Sequence, residues 1–214
     1  MRILSLVLFS FIFATVASAQ DNAKQLLQEV SQKVKSYDNI QIEFKYNLNN
    51  TKERVSQETR GKVSLSGDKY LLEMLGIERI FDGKKIYTIV PEDEEVTISN
   101  FDPDMESEIT PSRMLTFYED GYEAEMDIKQ NVKGREIQYV ALKPINKNTD
   151  IKRILLGIDV HTKNIYKLIQ IDNNDTKYTV TVQSFKSNQP ISESLFQFDN
   201  KKYEQNGYYI NALD

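Results

Sequence analysis

Ile40-Gln41-Ile42-Glu43-Phe44-Lys45-Tyr46-Asn47-Leu48 is the stretch whose period decides the fold. Apolar and polar residues alternate through it, the two-residue step of a strand with one wet face. The same step predicts strands at Lys62–Leu65, Lys69–Leu75, Glu78–Phe81, Lys84–Ile89 and Glu95–Ser99. It returns at Tyr122–Asn131, Glu136–Lys143, Ile151–Asp159, Ile165–Asp172 and Lys177–Phe185, with a last strand at Phe196–Asp199 and a Tyr208–Asn211 tail. Ser66-Gly67-Asp68, Asp82-Gly83, Lys133-Gly134 and Asn173–Asp175 supply turns between them.

Two segments break this period. Ala23, Leu26, Leu27, Val30 and Val34 recur at three- and four-residue steps, which predicts an amphipathic helix over Asn22–Ser36. Thr110-Pro111 has the form of an N-cap followed by proline at the first helical position, so a short helix is expected over Pro111–Tyr118. The pattern describes a mainly β chain, its strands joined by tight turns into one barrel-like sheet with two or three helices. No linker and no fixed-period repeat divides it.

The first residues carry an export signal. Met1-Arg2 is followed by a nearly unbroken apolar run from Ile3 to Ala14, and Ala17-Ser18-Ala19 offers small residues for cleavage before Gln20. The run is short for a membrane span. A signal peptide over 1–19 and a single domain over 20–214 are expected. With no cysteine among 214 residues, the chain has no lipid-modified N-terminal cysteine, no disulfide and no thiolate chemistry. Its formal net charge is −5, without the cationic clusters that nucleic acid or a polybasic membrane contact requires.

Chemistry has little to stand on. The one histidine, His161, falls in a polar turn and is expected to be exposed. Glu92-Asp93-Glu94-Glu95 and the alternating Asp102, Asp104, Glu106 and Glu108 read as solvated acidic loops, the second lacking the glycine and terminal glutamate of a calcium loop. Nucleophile elbow, phosphate loop and dinucleotide fingerprint are absent. No enzyme, no metal and no cofactor are expected. What remains is apolar: Ile42, Phe44 and Tyr46; Val63 and Leu65; Tyr70, Leu72 and Met74; Ile154, Leu156 and Ile158; Ile165, Ile169 and Ile171. On pattern alone these steps describe a packed core, the commoner outcome, or the wall of a ligand cavity.

Several short motifs follow one another along the chain. Gly61-Lys62-Val63-Ser64-Leu65 leads into Tyr70-Leu71-Leu72-Glu73-Met74. Phe81-Asp82-Gly83-Lys84-Lys85-Ile86-Tyr87 sets Asp-Gly-Lys before an aromatic. Thr110-Pro111-Ser112-Arg113-Met114-Leu115, Leu142-Lys143-Pro144 and Phe196-Gln197-Phe198 come after it. Their order resembles the outer-membrane lipoprotein carrier family, LolA, over roughly residues 22–199, in whose hairpin Asp-Gly-Lys likewise precedes an aromatic.

The resemblance implies a half-open antiparallel β-barrel with a helical lid over an apolar cavity that holds lipoprotein acyl chains. The wall would comprise Phe44, Val63, Leu65, Tyr70, Leu72, Met74, Ile86 and Tyr87, with Met114, Leu115 and Phe117 on the lid helix. Ile42, Tyr46, Leu156 and Ile169 extend the candidate set. It further implies a monomer in the periplasm that takes cargo from an inner-membrane lipoprotein-releasing transporter to an outer-membrane acceptor. Where family members carry a basic residue and proline that fasten the lid, this chain has Ser66-Gly67-Asp68. Three other readings stand beside it: a carrier of another exported lipid or acylated pigment, a non-transporting β-barrel binding or assembly module, and a periplasmic hydrolase.

Overall fold

The computed structural model describes residues 21–101 and 111–213. The expected signal peptide, Thr110 and the Asp102–Glu108 acidic run lie outside them. Helix α1 spans residues 21–35. Six strands follow: β1 Asn39–Asn50, β2 Val55–Ser66, β3 Lys69–Met74, β4 Ile77–Phe81, β5 Lys85–Val90 and β6 Glu95–Asn100. After helix α2, Pro111–Met114, come β7 Tyr122–Val132, β8 Arg135–Pro144, β9 Ile151–Asp159, β10 Ile165–Asp172 and β11 Lys177–Ser187. Helix α3, Asn200–Gln205, and strand β12, Tyr209–Ala212, end the described chain.

The strands hydrogen-bond in the order β12-β6-β5-β4-β3-β2-β1-β11-β10-β9-β8-β7. β7 and β12 are the two ends of this order, so the sheet is open. Two compact units share the chain. One gathers residues up to Val34 with Leu48–Val55 and Phe117–Thr179; the other gathers Lys35–Asn47, Ser56–Thr116 and the residues from Val180 onward.

In the first unit β7–β10 form an antiparallel meander. Ala124 pairs with Leu142 and Leu142 with Ile154; Val140 pairs with Leu156 and Leu156 with Leu168. Paired residues share a face, and this one is covered by α1. Ala23, Leu26, Leu27 and Val30, one stripe of the helix, join Val140, Leu142, Ile154, Leu156 and Ile158 in a single buried cluster. Each Leu or Val so buried stabilises by roughly 1.5–3 kcal/mol. Two polar ties reinforce the seat: Ser31 Oγ donates to Glu119, and Lys163 pairs with Glu29 at 2.6 Å. At the outer strand, a bulge between Met126 and Lys129 kinks β7. The buried amide of Gln138 fills it, its Nε2 donating to the carbonyls of Asp127 and Tyr139 at 2.8 Å each.

In the second unit β2–β6 run antiparallel, hairpin to hairpin. The antiparallel expectation fails at its end, where β12 lies parallel to β6 with Tyr209 opposite Glu95. Three other boundaries differ from the sequence pattern. β2 begins seven residues earlier than predicted, because after Val55 the stretch Ser56–Arg60 is polar on both faces and shows no alternation. Cross-strand contacts hold it instead, including Lys45–Glu58 at 2.6 Å and Asn47 donating to Glu58 at 3.1 Å. The helix expected over Pro111–Tyr118 stops at Met114, where Thr116 N–H turns back to Arg113 O at 3.0 Å; Phe117–Glu119 is a separate 3-10 turn. The Phe196–Asp199 strand is absent. Ser192 caps a 3-10 turn at Glu193–Phe196, and Asp199 caps α3 by accepting Lys202 N–H at 3.1 Å. Residues that capture nearby N–H groups in this way start helices rather than ladders.

Candidate functional site

Register decides which predicted wall residues meet. Across β2–β5, Leu65 pairs with Tyr70, Tyr70 with Phe81 and Phe81 with Ile86; Val63 pairs with Leu72, and Gly61 with Met74. These residues share one face of the second unit. Phe44 joins them from β1, because its ring lies where a Cβ on Gly61 would point, with Cε2 2.9 Å from that position. Gly61 is therefore the one residue that lets the ring lie across β2. Ile42 and Tyr46, two residues to either side of Phe44, extend the row along β1, the first buried and the second half-buried.

Exposure is graded along this face. Leu65, Tyr70 and Ile86 are buried, with Tyr70 and Ile86 at 1%, whereas Phe44, Leu72 and Met74 are only half-buried. At the β3–β4 turn end a cavity of about 500 Å³ opens, lined by Phe44, Gly61, Met74 and Ile77 with Glu43, Arg60, Lys62, Glu73 and Glu78 around them. Sequence reasoning passes over Phe81 and Phe101, which continue the aromatic row from Tyr70 at ring separations of 5.6 and 4.8 Å. Alternation of Ile77, Arg79 and Phe81 is the available signal for the first. Arg79, half-buried, places a cation on this same face.

Other predicted wall residues are elsewhere. Tyr87 follows Ile86 on the same strand and so points to the opposite face. There it stacks on Phe198 at 4.6 Å, and Phe198 stacks on Tyr203 at 5.0 Å, over a cluster of Ile80, Ile89 and Val96. Leu156 is fully buried beneath α1, in a packed core. Ile169, adjacent to Leu168, faces the other side of β10 and is half-buried. The three residues assigned to one lid helix separate: Met114 is 41% exposed at the end of α2, Leu115 follows in a turn, and Phe117 packs edge-on against Tyr118 and Tyr122 in the first unit.

The Asp-Gly-Lys hairpin has a physical basis. Asp82 Oδ1 accepts the N–H groups of Lys84 and Lys85 at 2.8 Å each, and Oδ2 accepts Tyr87 Oη–H at 2.9 Å. Burial pushes the Asp82 carboxyl up, but the hydrogen bonds from Lys85 and Lys84 outweigh it and hold the group below its ordinary range. Burial and the bond to Asp82 push Tyr87 up to about 12.

Candidate chemistry elsewhere is sparse. His161 is exposed in the β9–β10 turn, where Asp159 accepts its N–H at 3.0 Å. Among the described residues no three His, Asp or Glu side chains are grouped to hold a metal, and no helix is long and apolar enough to cross a membrane. What the described face offers a ligand is apolar contact, with the Arg79 cation beside it.

The family model of outer membrane lipoprotein carrier protein LolA matches residues 33–199. The chain belongs to that family. No curated protein sequence matches it. Among solved structures, an uncharacterized conserved protein from Thermus thermophilus superposes with a TM-score of 0.58 at 9% identity, over 87% of this chain and 98% of that one. LprF from Mycobacterium bovis superposes with a TM-score of 0.50 at 13% identity, over 80% and 95%. A LolA superfamily protein from Nitrosomonas europaea gives 0.45 at 10% identity, over 82% and 97%. At these identities the first two likenesses show the shared fold.

Proposed function

We propose that this chain is a periplasmic carrier that shields the acyl chains of lipoproteins on their way from the inner to the outer membrane. Membership of the LolA family supports the reading, and one observation carries it: an apolar face, buried at one end and half-exposed at the other, beside a cavity of about 500 Å³. At about 0.8 kcal/mol per methylene, three long acyl chains hold a lipoprotein in a bilayer by roughly 30 kcal/mol or more. Crossing water unaided is then negligible, and a carrier must supply comparable burial yet release its load.

In this reading Phe44, Val63, Leu65, Tyr70, Leu72, Met74 and Ile86 contact the acyl chains, within a half-open barrel covered by helices. Loading draws energy from an inner-membrane lipoprotein-releasing transporter, and delivery runs downhill to an outer-membrane acceptor. The protein binds and does not catalyse. Export as 1–19 is cleaved before Gln20 belongs to the same proposal.

Mass spectrometry of protein purified from cells without detergent tests it. A triacylated, cysteine-derived lipopeptide is the expected bound species. A non-protein lipid would instead make this a carrier of other exported lipids, and a lipid-free protein that takes up no fluorescent acyl probe would end the carrier reading. Leu72→Glu, placed on the half-exposed part of the face, should weaken acyl-probe binding by tenfold or more while the circular dichroism spectrum is kept.

A further inference from the structure

The face of β8–β10 turned away from α1 holds polar groups for which acyl chains have no use. Arg135, Ile137 and Tyr139 alternate along β8; Tyr139 lies opposite Gly157 on β9, and Gly157 opposite Lys167 on β10. Tyr139 is 5% exposed, and its ring crosses β9: a Cβ on Gly157 would stand 2.9 Å from Cε1 and 3.0 Å from Cζ. The glycine thus lets a tyrosine of β8 reach over its neighbour, hydroxyl end leading, towards Lys167. Among the described residues that hydroxyl has no hydrogen-bond partner. Burial and the neighbouring Tyr166 push it up from its ordinary value, so it keeps its proton and remains a donor.

Two cations close on the same place. An irregularity between Ile165 and Lys167 sets Tyr166 out of register, and its ring receives both Arg135, with Cζ 4.8 Å from the ring centre, and Lys167, with Nζ 5.5 Å from it. Neither cation forms an ion pair or a hydrogen bond among the described residues, although Lys129 and Lys163 at the same end of the sheet pair with glutamates at 2.7 and 2.6 Å. Asp159 feels the Arg135 charge, but its Oδ1 is engaged by the N–H groups of His161 and Thr162 at 3.0 Å each. One aromatic ring eases two like charges without neutralising them. A guanidinium fork, an ammonium and a phenol converging from three strands suit an anion with more than the two oxygens of a carboxylate.

We infer that Arg135, Lys167 and the Tyr139 hydroxyl bind a phosphate group. One row along the sheet, Leu155 pairs with Ile169 and both are half-buried, so an apolar substituent on the phosphate finds a surface to lie on. The inference goes beyond the carrier reading: it concerns an anionic group, held by strands other than β2–β5.

Phosphorus-31 resonance titrations of the purified protein test it, with inorganic phosphate and with dihexanoyl phosphatidylglycerol kept below its micelle concentration. Both resonances should broaden saturably. Arg135→Gln and Lys167→Gln should each weaken binding about tenfold, the loss expected for a charge-assisted hydrogen bond. Tyr139→Phe should weaken it about threefold or more and melt at or above the wild-type temperature, since the hydroxyl it removes bonds nothing in the fold. Binding of the lipid tenfold tighter than inorganic phosphate would uphold the site and assign it to a headgroup; equal binding would uphold it for the phosphate group alone. Failure of both probes to bind would overturn the inference, as would undiminished binding by an Arg135→Gln, Lys167→Gln double variant. A lowered melting temperature of Tyr139→Phe would give the hydroxyl to the fold and overturn it too.

Discussion

Adding one methyl group at Gly61 tests the geometry of the apolar face directly. A Cβ there would stand 2.9 Å from Phe44 Cε2 and 3.0 Å from the carbonyl oxygen of Glu73. The ring can swing away, but the carbonyl belongs to β3, whose residues Glu73 and Met74 are held in register opposite Lys62 and Gly61. Overpacking of this kind costs about 1–3 kcal/mol. Replacing glycine stiffens the unfolded chain and returns about 0.4–1 kcal/mol, so a net loss of about 1–2 kcal/mol is expected for Gly61→Ala. In a protein of this size that lowers the melting temperature by about 2–8 °C. Because part of the cost arises against the ring, Gly61→Ala and Phe44→Leu should couple: the double variant should be more stable than the sum of the single losses by about 1 kcal/mol in reversible thermal or urea denaturation. A Gly61→Ala protein as stable as the parent, or a strictly additive cycle, would show that ring and glycine do not meet as described.

Asp82→Ala removes the acceptor for two backbone N–H groups and the Tyr87 hydroxyl, and should cost about 2 kcal/mol; Tyr87→Phe, which keeps the stack on Phe198, should cost about 0.5–1.5 kcal/mol, and equal losses in urea titrations would refute the ranking. Asp82 and Asp159 are held below the ordinary carboxylate range by backbone N–H groups against burial, and Asp175 is drawn down to about 2 by hydrogen bonds and charge from Lys52 and Lys152. A depressed folded-state value means stability that is complete above about pH 4 and is lost as pH falls from there towards 2, so a urea midpoint that rises on acidification would contradict the assignment. On the alkaline side Tyr87, raised to about 12, contributes stability below pH 10 that is lost as pH climbs through 12, and Tyr87→Phe should flatten that limb. Asp199→Ala should cost about 1 kcal/mol through its lost cap, read as a lower denaturation midpoint.

The parts of this fold legible in the sequence are those where one face is wet. β3–β6 and β8–β10 alternate, and their predicted bounds fall within a residue or so of the observed ones. Ser56–Arg60 is unreadable because a strand polar on both faces has no period, and β12 because four residues carry too little pattern to announce a parallel partner. Seven predicted wall residues share a face because the two-residue step is dictated by backbone geometry. Ile86 and Tyr87 part for the same reason, since neighbours on a strand cannot look the same way. Alternation turns Leu156 inward, but whether such a side chain meets a cavity or the underside of α1 depends on tertiary packing.

The kink in β7 bears on how such a sheet survives at high concentration. An open order of strands leaves a terminal backbone able to template another chain, and β7 is one of its two ends. The bulge breaks the even spacing that a newcomer would need to match, and Gln138 holds it in place from within. Glu123 and Glu125, on the face away from Ala124, add charge along the same margin. Gln138→Leu would free the bulge to relax, and the first symptom expected is turbidity on standing, ahead of any change in ligand uptake.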